Sequence, residues 1–183
     1  MTKEKSNVVT DFVSPIVVLV LICAVMSGLL AFTNGITKPI IDKAEEDANT
    51  AARLEVLPQA DDFDEATVNG ALPETITGVY QAKNKEGYVF SITAQGYGGK
   101  NTLKMAVGVD KNGKITGAKV LDHKETAGLG SKITTDQRFI GDFLGKDAGG
   151  IDGIDRISGA TFSSNYYKAA IKDALAAFEL VKS

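Results

Sequence analysis

Three glycine-bearing segments hold most of the residues able to do chemistry. Gly96-Tyr97-Gly98-Gly99 falls between two apolar alternating runs. Asp122-His123-Lys124-Glu125-Thr126-Ala127-Gly128-Leu129-Gly130 leaves a third such run, and Asp155-Arg156-Ile157-Ser158-Gly159-Ala160-Thr161 leads into a long helical pattern. Glycine alone says little, because turns and strand ends use it anyway. The third segment says more. Thr161 stands just ahead of Ser163-Ser164-Asn165, residue types that cap helices well. A group carried on the Thr161 hydroxyl would sit at the positive end of that helix, where unpaired N–H groups and the dipole favour a phosphate. A polar connection with an N-cap explains the same residues equally well.

Familiar catalytic constellations are missing. His123 is the only histidine, so every His-dependent nucleophile scheme has to use it, and a lone His in a polar loop usually just makes hydrogen bonds. Asp122 and Glu125 are close in sequence, but at a strand end they need not face each other. No G-x-S-x-G elbow, P-loop or dinucleotide fingerprint occurs. One cysteine permits no internal disulfide, and with one histidine it makes a zinc site from this chain improbable.

The elements that position these loops can be read from periodicity. Tyr88, Phe90, Ile92 and Ala94 alternate with Val89, Ser91 and Thr93; Leu103, Met105, Val107 and Val109 alternate with Lys104, Ala106 and Gly108. Both read as half-buried strands. Asp110-Lys111-Asn112-Gly113 predicts a turn, with Lys114 to Leu121 as the returning strand, and Asn84-Lys85-Glu86-Gly87 separates Thr77–Lys83 from the strand at Tyr88. Thr134 with Gln137 three places on predicts a capping box that opens a short helix to about Phe143. The last helix is expected from Ser163 or Ser164 to near Val181. Tyr167, Ala170, Ile171, Ala174, Leu175, Phe178 and Val181 share its apolar face, with Lys168, Lys172, Asp173 and Glu179 toward water. An antiparallel meander followed by packing helices predicts an α+β domain.

Ahead of this module the chain changes character. No charge occurs between Asp11 and Lys38, a window of 26 residues, and Phe12 to Phe32 is almost wholly apolar. A helix needs roughly 20 such residues to cross a membrane, so one permanent span is expected. A cleaved signal peptide would want a shorter apolar core and a small-x-small site. Lipid attachment at Cys23 would want small residues where Leu21 and Ile22 stand. Lys3 and Lys5 before the span balance Lys38 and Lys43 after it, so charge leaves the orientation open. Ile41 to Leu57 then reads as a helix started by Asp42 and ended by Pro58. From Asp42 to Glu74 ten acids stand against two bases, which reads as a solvated stalk. The expected domains are 1–37, tail and transmembrane helix; 38–76, helical and acidic connector; and 77–183, the soluble module. A net charge of −3 argues against nucleic acid as a partner.

The quoted motifs resemble those of the FMN-binding domain family. Asp155-x-x-Ser158-Gly159-Ala160-Thr161 is similar to the motif on which a flavin transferase attaches FMN to the threonine. His123-Lys124-Glu125-Thr126-Ala127-Gly128-Leu129-Gly130 resembles the family's His-x-Glu-Thr-x-Gly-Leu-Gly segment, and Gly96-Tyr97-Gly98-Gly99 its third element. With one N-terminal span and an intervening helix, nearly the whole chain resembles the G subunits of Rnf-type electron-transport complexes. The resemblance implies FMN bound covalently through its phosphate at Thr161, with Asp155, Ser158, Gly159 and Ala160 read by the transferase. It also implies a flavin loop of His123, Glu125, Thr126, Gly128, Leu129 and Gly130, in which Glu125 and Thr126 make polar contacts. Ala127 stands where many relatives have proline. The implied setting is the plasma membrane, among lipid and the other membrane subunits of the complex, with the soluble domain outside the cytoplasm. The implied role is a relay station in electron transfer between ferredoxin and NAD, coupled to Na+ or H+ translocation, and not the ion path.

Three other readings compete. The corresponding subunit of the sodium-pumping NADH–quinone oxidoreductase shares the flavin motif but tends to be longer than 183 residues. A pilin-like structural subunit shares the apolar helix and α+β head, but wants an acid inside the apolar run. An anchored hydrolase would pair His123 with a serine, which no spacing here recommends.

Overall fold

The structure, a computed structural model, describes residues 12–68 and 70–182. Lys3, Lys5 and Asp11, used above to bound the span and weigh its orientation, lie outside the described residues. The chain divides into two units, Met1–Asp47 and Ala48–Ser183.

In the first unit the described residues from Ser14 onward belong to a single helix, α1 (Ser14–Val56), which continues into the second unit. Its apolar stretch is long and hydrophobic enough to cross a membrane, and its residues are exposed. The separate helix expected to begin at Asp42 is instead a continuation of the first. Pro39 lies inside α1. Its ring removes one backbone donor and crowds the Gly35 carbonyl, yet the helix runs through it. The helix ends at Val56, ahead of Pro58, as expected.

The second unit is built on a five-stranded antiparallel meander in sequence order: β1 (Phe63–Glu65), β2 (Ile76–Ala82), β3 (Gly87–Gly96), β4 (Gly99–Asp110) and β5 (Ile115–His123). The β4–β5 turn closes as its sequence demands. Asp110 Oδ1 accepts from the N–H groups of Asn112 and Lys114, and Gly113 takes φ +80°, which a side chain would oppose. Part of the acidic stretch read as a stalk is edge strand: Phe63, Asp64 and Glu65 pair with Ala82, Gln81 and Tyr80. Lys83 accounts for the local acids, pairing with Asp62 and reaching Asp64 at 3.7 Å.

Behind the sheet come α2 (Lys132–Thr135), α3 (Gln137–Gly141), a 3-10 turn (Ala148–Gly150) and α4 (Thr161–Val181). One sheet face meets α4 in the main core, where Phe90, Leu103, Met105, Tyr167, Ile171 and Phe178 are fully buried. Phe139, Phe143 and Tyr167 form an aromatic knot with centroids 5.1 to 5.3 Å apart.

Further sequence expectations are corrected as well. Val89 and Ala106, placed on a wet strand face, are buried with Val56, Leu57 and Ala82 in a second, smaller core. The end of α1 covers that face through two glycines. A Cβ on Gly117 would lie 2.7 Å from Val56 Cα, one on Gly108 would collide with the Val56 carbonyl, and Thr116 Oγ1 donates to that carbonyl at 2.5 Å. Second, the short helix is capped by Asp136, whose Oδ1 accepts from the N–H groups of Arg138 and Phe139 at 3.1 Å; Thr134 lies within α2 and donates to the Ser131 carbonyl. Third, Lys168 does not face water. It is 9% exposed and donates to the carbonyls of Ile154 and Asp152.

Candidate functional site

The segment before α4 is held by a repeat of three. Ile151, Ile154, Ile157 and Ala160 are buried, while Asp155, Ser158 and Gly159 between them are exposed. Ile157 N–H donates to Ser164 Oγ at 3.1 Å, and Gly159 takes φ +79° to turn the chain into the helix. The helix begins at Thr161, two residues earlier than the sequence suggested, with Ala160 at the N-cap and no side-chain cap bond. Ser163 and Ser164 are buried inside the first turn and spend their hydroxyls elsewhere. The first-turn N–H groups thus lack the side-chain acceptor that usually satisfies them.

Gly96-Tyr97-Gly98-Gly99 makes the tight β3–β4 hairpin, with φ +115° at Gly99. Gly98 lets it lie close to the next loop, since a Cβ there would stand 2.9 Å from the Lys124 carbonyl. That loop is a chain of tight turns into α2: the Thr126 carbonyl accepts from Leu129 and Ser131 N–H, and Gly128 N–H donates to Ser131 Oγ.

These pieces enclose a cavity of about 210 Å³ lined by Tyr97, Thr126, Leu129, Gly130, Gly159, Ala160, Thr161, Phe162 and Ser163. Three large apolar side chains stand unusually open at its mouth: Tyr97 is 63% exposed, Leu129 50% and Phe162 65%. The Tyr97 and Phe162 rings are 6.4 Å apart and tilted by 51°. Thr161 is exposed among them, and no hydrogen bond or ion pair engages its hydroxyl, or the side chains of Asp155 and Ser158, among the described residues.

Of the residues predicted from sequence, Thr126, Leu129, Gly130, Gly159, Ala160 and Thr161 meet in this cavity. Asp155 and Ser158 line a neighbouring, more open cavity of about 560 Å³ with Lys132, Arg138, Asp142 and Arg156. His123, Glu125 and Gly128 line neither. His123 Nδ1 accepts the Glu125 N–H at 3.2 Å, and Glu125 is buried beneath the lining. Sequence reasoning missed Phe162 and the Ser163 hydroxyl. An aromatic directly after the motif threonine was the available signal for the first; nothing local signalled the second.

An aromatic-lipped cavity around an unused hydroxyl, at an uncapped helix start, suits a planar aromatic ligand bearing a phosphate. In agreement, the FMN-binding domain family matches residues 96–176, which include all three loops. The α+β second unit thus contains an FMN-binding domain.

Relatives extend this to the whole chain. It is 34% identical to the G subunit of the ion-translocating oxidoreductase complex of Methanosarcina acetivorans, over 87% of this chain and 88% of the relative. It is 29% identical to the G subunit of the Na(+)-translocating ferredoxin:NAD(+) oxidoreductase complex of Acetobacterium woodii, over 97% of both. A third G subunit, from the ion-translocating oxidoreductase complex of Haemophilus influenzae, is 33% identical over 62% of this chain and 56% of the relative. The chain belongs to the family of G subunits of ion-translocating oxidoreductase complexes. Its apolar N-terminal helix fits a membrane protein.

Proposed function

We propose that this chain is the covalent flavin carrier of an Rnf-type complex, relaying electrons between ferredoxin and NAD while the assembly translocates Na+ or H+. The observation that carries the proposal is the Thr161 hydroxyl, exposed, unengaged and placed at the first position of a 21-residue helix whose N-cap is alanine. A phosphoester on that oxygen places the FMN phosphate against unpaired N–H groups and the positive end of the dipole, worth about 1 kcal/mol.

The cavity suits the rest of the group. Tyr97, Leu129 and Phe162 offer apolar surface that the other described residues leave largely exposed, and the exposed Gly159 backbone can be approached closely. FMN, when bound, accepts and releases electrons singly or in pairs. The protein's own part would be to offer the tilted Tyr97–Phe162 pair and Leu129 as apolar surface for the ring, to keep Thr126 at the rim as a hydrogen-bonding group, and to shield one side from water. Exposure of Asp155 and Ser158 without partners supports their being read by a separate flavin transferase. A bond to the chain also prevents loss by dilution, which matters if the domain faces the extracytoplasmic side, as we infer from the family resemblance.

Mass spectrometry of the denatured native chain tests the reading directly. A mass exceeding the polypeptide by FMN less water is expected, with flavin fluorescence surviving denaturing electrophoresis. Thr161→Ala should lose both, and membranes carrying it should no longer pass electrons from reduced ferredoxin to NAD. A native mass equal to the bare polypeptide ends the proposal. Protease protection in oriented vesicles tests the side of the membrane.

A further inference from the structure

Glu125 adjoins the cavity-lining Thr126 yet contributes nothing to the lining. It is 8% exposed, and both carboxylate oxygens are engaged inside the protein. Oε1 accepts the Tyr97 backbone N–H at 2.8 Å, and Oε2 accepts the Ser163 hydroxyl at 2.5 Å. Tyr97 carries one of the two rings at the cavity mouth, and Ser163 follows Phe162, which carries the other. A single carboxylate therefore joins the β3–β4 hairpin to the first turn of α4 at the two places from which the rings project.

The surrounding glycines show how closely the chain is fitted to this group. A Cβ on Gly96 would lie 2.5 Å from Glu125 Oε1; one on Gly130 would lie 2.5 Å from Oε2 and 2.6 Å from Ser163 Oγ. Side chains are excluded from both sides of the carboxylate. No cation pairs with it among the described residues. Its hydrogen-bond donors and the partial positive charge of the α4 start offset its burial. His123 takes the Glu125 N–H on Nδ1 and so steadies the backbone from which the carboxylate projects.

We propose that Glu125 is a positioning residue: through Tyr97 N–H and Ser163 Oγ it holds the tilted Tyr97–Phe162 pair as one aromatic lip of the cavity, against which a planar aromatic group can lie, without touching that group. This rests on the reading of the cavity as the flavin site. The rings stand 6.4 Å apart at 51°, in tilted contact with each other, and both are largely exposed, so side chains outside the pair do little to fix them. Fixing them from beneath removes ordering that the ligand would otherwise have to impose.

The test uses the full chain in detergent, flavin-loaded and unloaded. Glu125→Ala should raise hydrogen exchange at the Tyr97 amide of the unloaded protein by about tenfold or more, because a charge-assisted bond that holds the hairpin is lost. In the loaded protein it should raise iodide quenching of flavin fluorescence and lower its anisotropy. Glu125→Gln, which can still accept from Tyr97 and bond to Ser163, should restore all three. Unchanged exchange and quenching in Glu125→Ala would overturn the proposal. So would a shifted flavin midpoint potential in Glu125→Gln with quenching unaltered in both variants, because the carboxylate would then act on the ring by its charge. If Glu125→Ala does not fold, Ser163→Ala carries the test: increased quenching supports the positioning role and wild-type quenching sinks it. Absence of flavin from the native mass refutes the flavin reading instead, a result separate from Tyr97 exchange.

Discussion

The Lys168 ammonium donates to the Ile154 carbonyl at 2.7 Å and the Asp152 carbonyl at 3.2 Å, so one buried cation grips the loop that leads to Thr161. Lys172 takes the Asp152 carboxylate at 2.5 Å, and its hydrogen bond and charge hold that carboxyl below the usual range, with Lys168 adding a smaller effect. The two lysines, four residues apart on α4, thus share the fastening of one loop.

Lys168→Met keeps the aliphatic stem and removes the charge-assisted bonds. A loss of about 2 kcal/mol is expected in urea unfolding of the detergent-solubilised chain. Under the flavin reading, the fraction of chains carrying the added mass should fall with it. Normal stability would show that solvent already satisfies these carbonyls.

Gly117→Ala pushes a methyl group toward Val56 Cα, where only 2.7 Å is available. Overpacking of this kind costs about 1–3 kcal/mol. The change should lower Tm and increase protease cutting near Leu57. Gly108→Ala, aimed at the Val56 carbonyl, should do at least as much.

Tyr167 is fully buried, and its hydroxyl has no hydrogen-bond partner among the described residues. Tyr167→Phe removes that unsatisfied group and should stabilise the domain by about 1 kcal/mol. Burial also pushes the phenol pKa well above its ordinary 10.0. The folded chain therefore holds this proton more tightly than the unfolded chain does. Its contribution is fully present below pH 10 and is lost as pH rises beyond that. Thermal melts from pH 9 to 11 should show a fall that Tyr167→Phe reduces, after allowing for the other tyrosines.

Asp136→Ala should cost about 1 kcal/mol, as removal of an N-cap does, whereas Thr134→Ala should cost less than half of that. Chemical denaturation of the pair decides which residue starts α3. Equal losses would restore the capping box that the sequence suggested.

That contrast illustrates what could be read from residue order. The alternation in β3 and β4 was legible because one face sees a continuous core, and the apolar stripe of α4 because six of its seven expected members are buried. The motif loops were legible as chemistry-bearing, since Gly, Ser and Thr stand where regular packing residues do not. Contacts between distant segments were not. Val89 and Ala106 looked wet because their cover comes from Val56 and Leu57, far away in the chain. Lys168 looked wet because its partners are carbonyls, which leave no mark on side-chain identity. Ser163 looked like a cap because its partner, Glu125, lies 38 residues earlier.

The triplet burial of Ile151, Ile154, Ile157 and Ala160 has a consequence for biogenesis. With those four sunk into the core, Asp155, Ser158 and Thr161 are displayed together only once the domain has closed. A modifying enzyme that needs all three would meet a finished surface instead of a nascent peptide. Under the proposed covalent attachment, cofactor insertion would then double as quality control, marking as mature only those chains whose interior had already set.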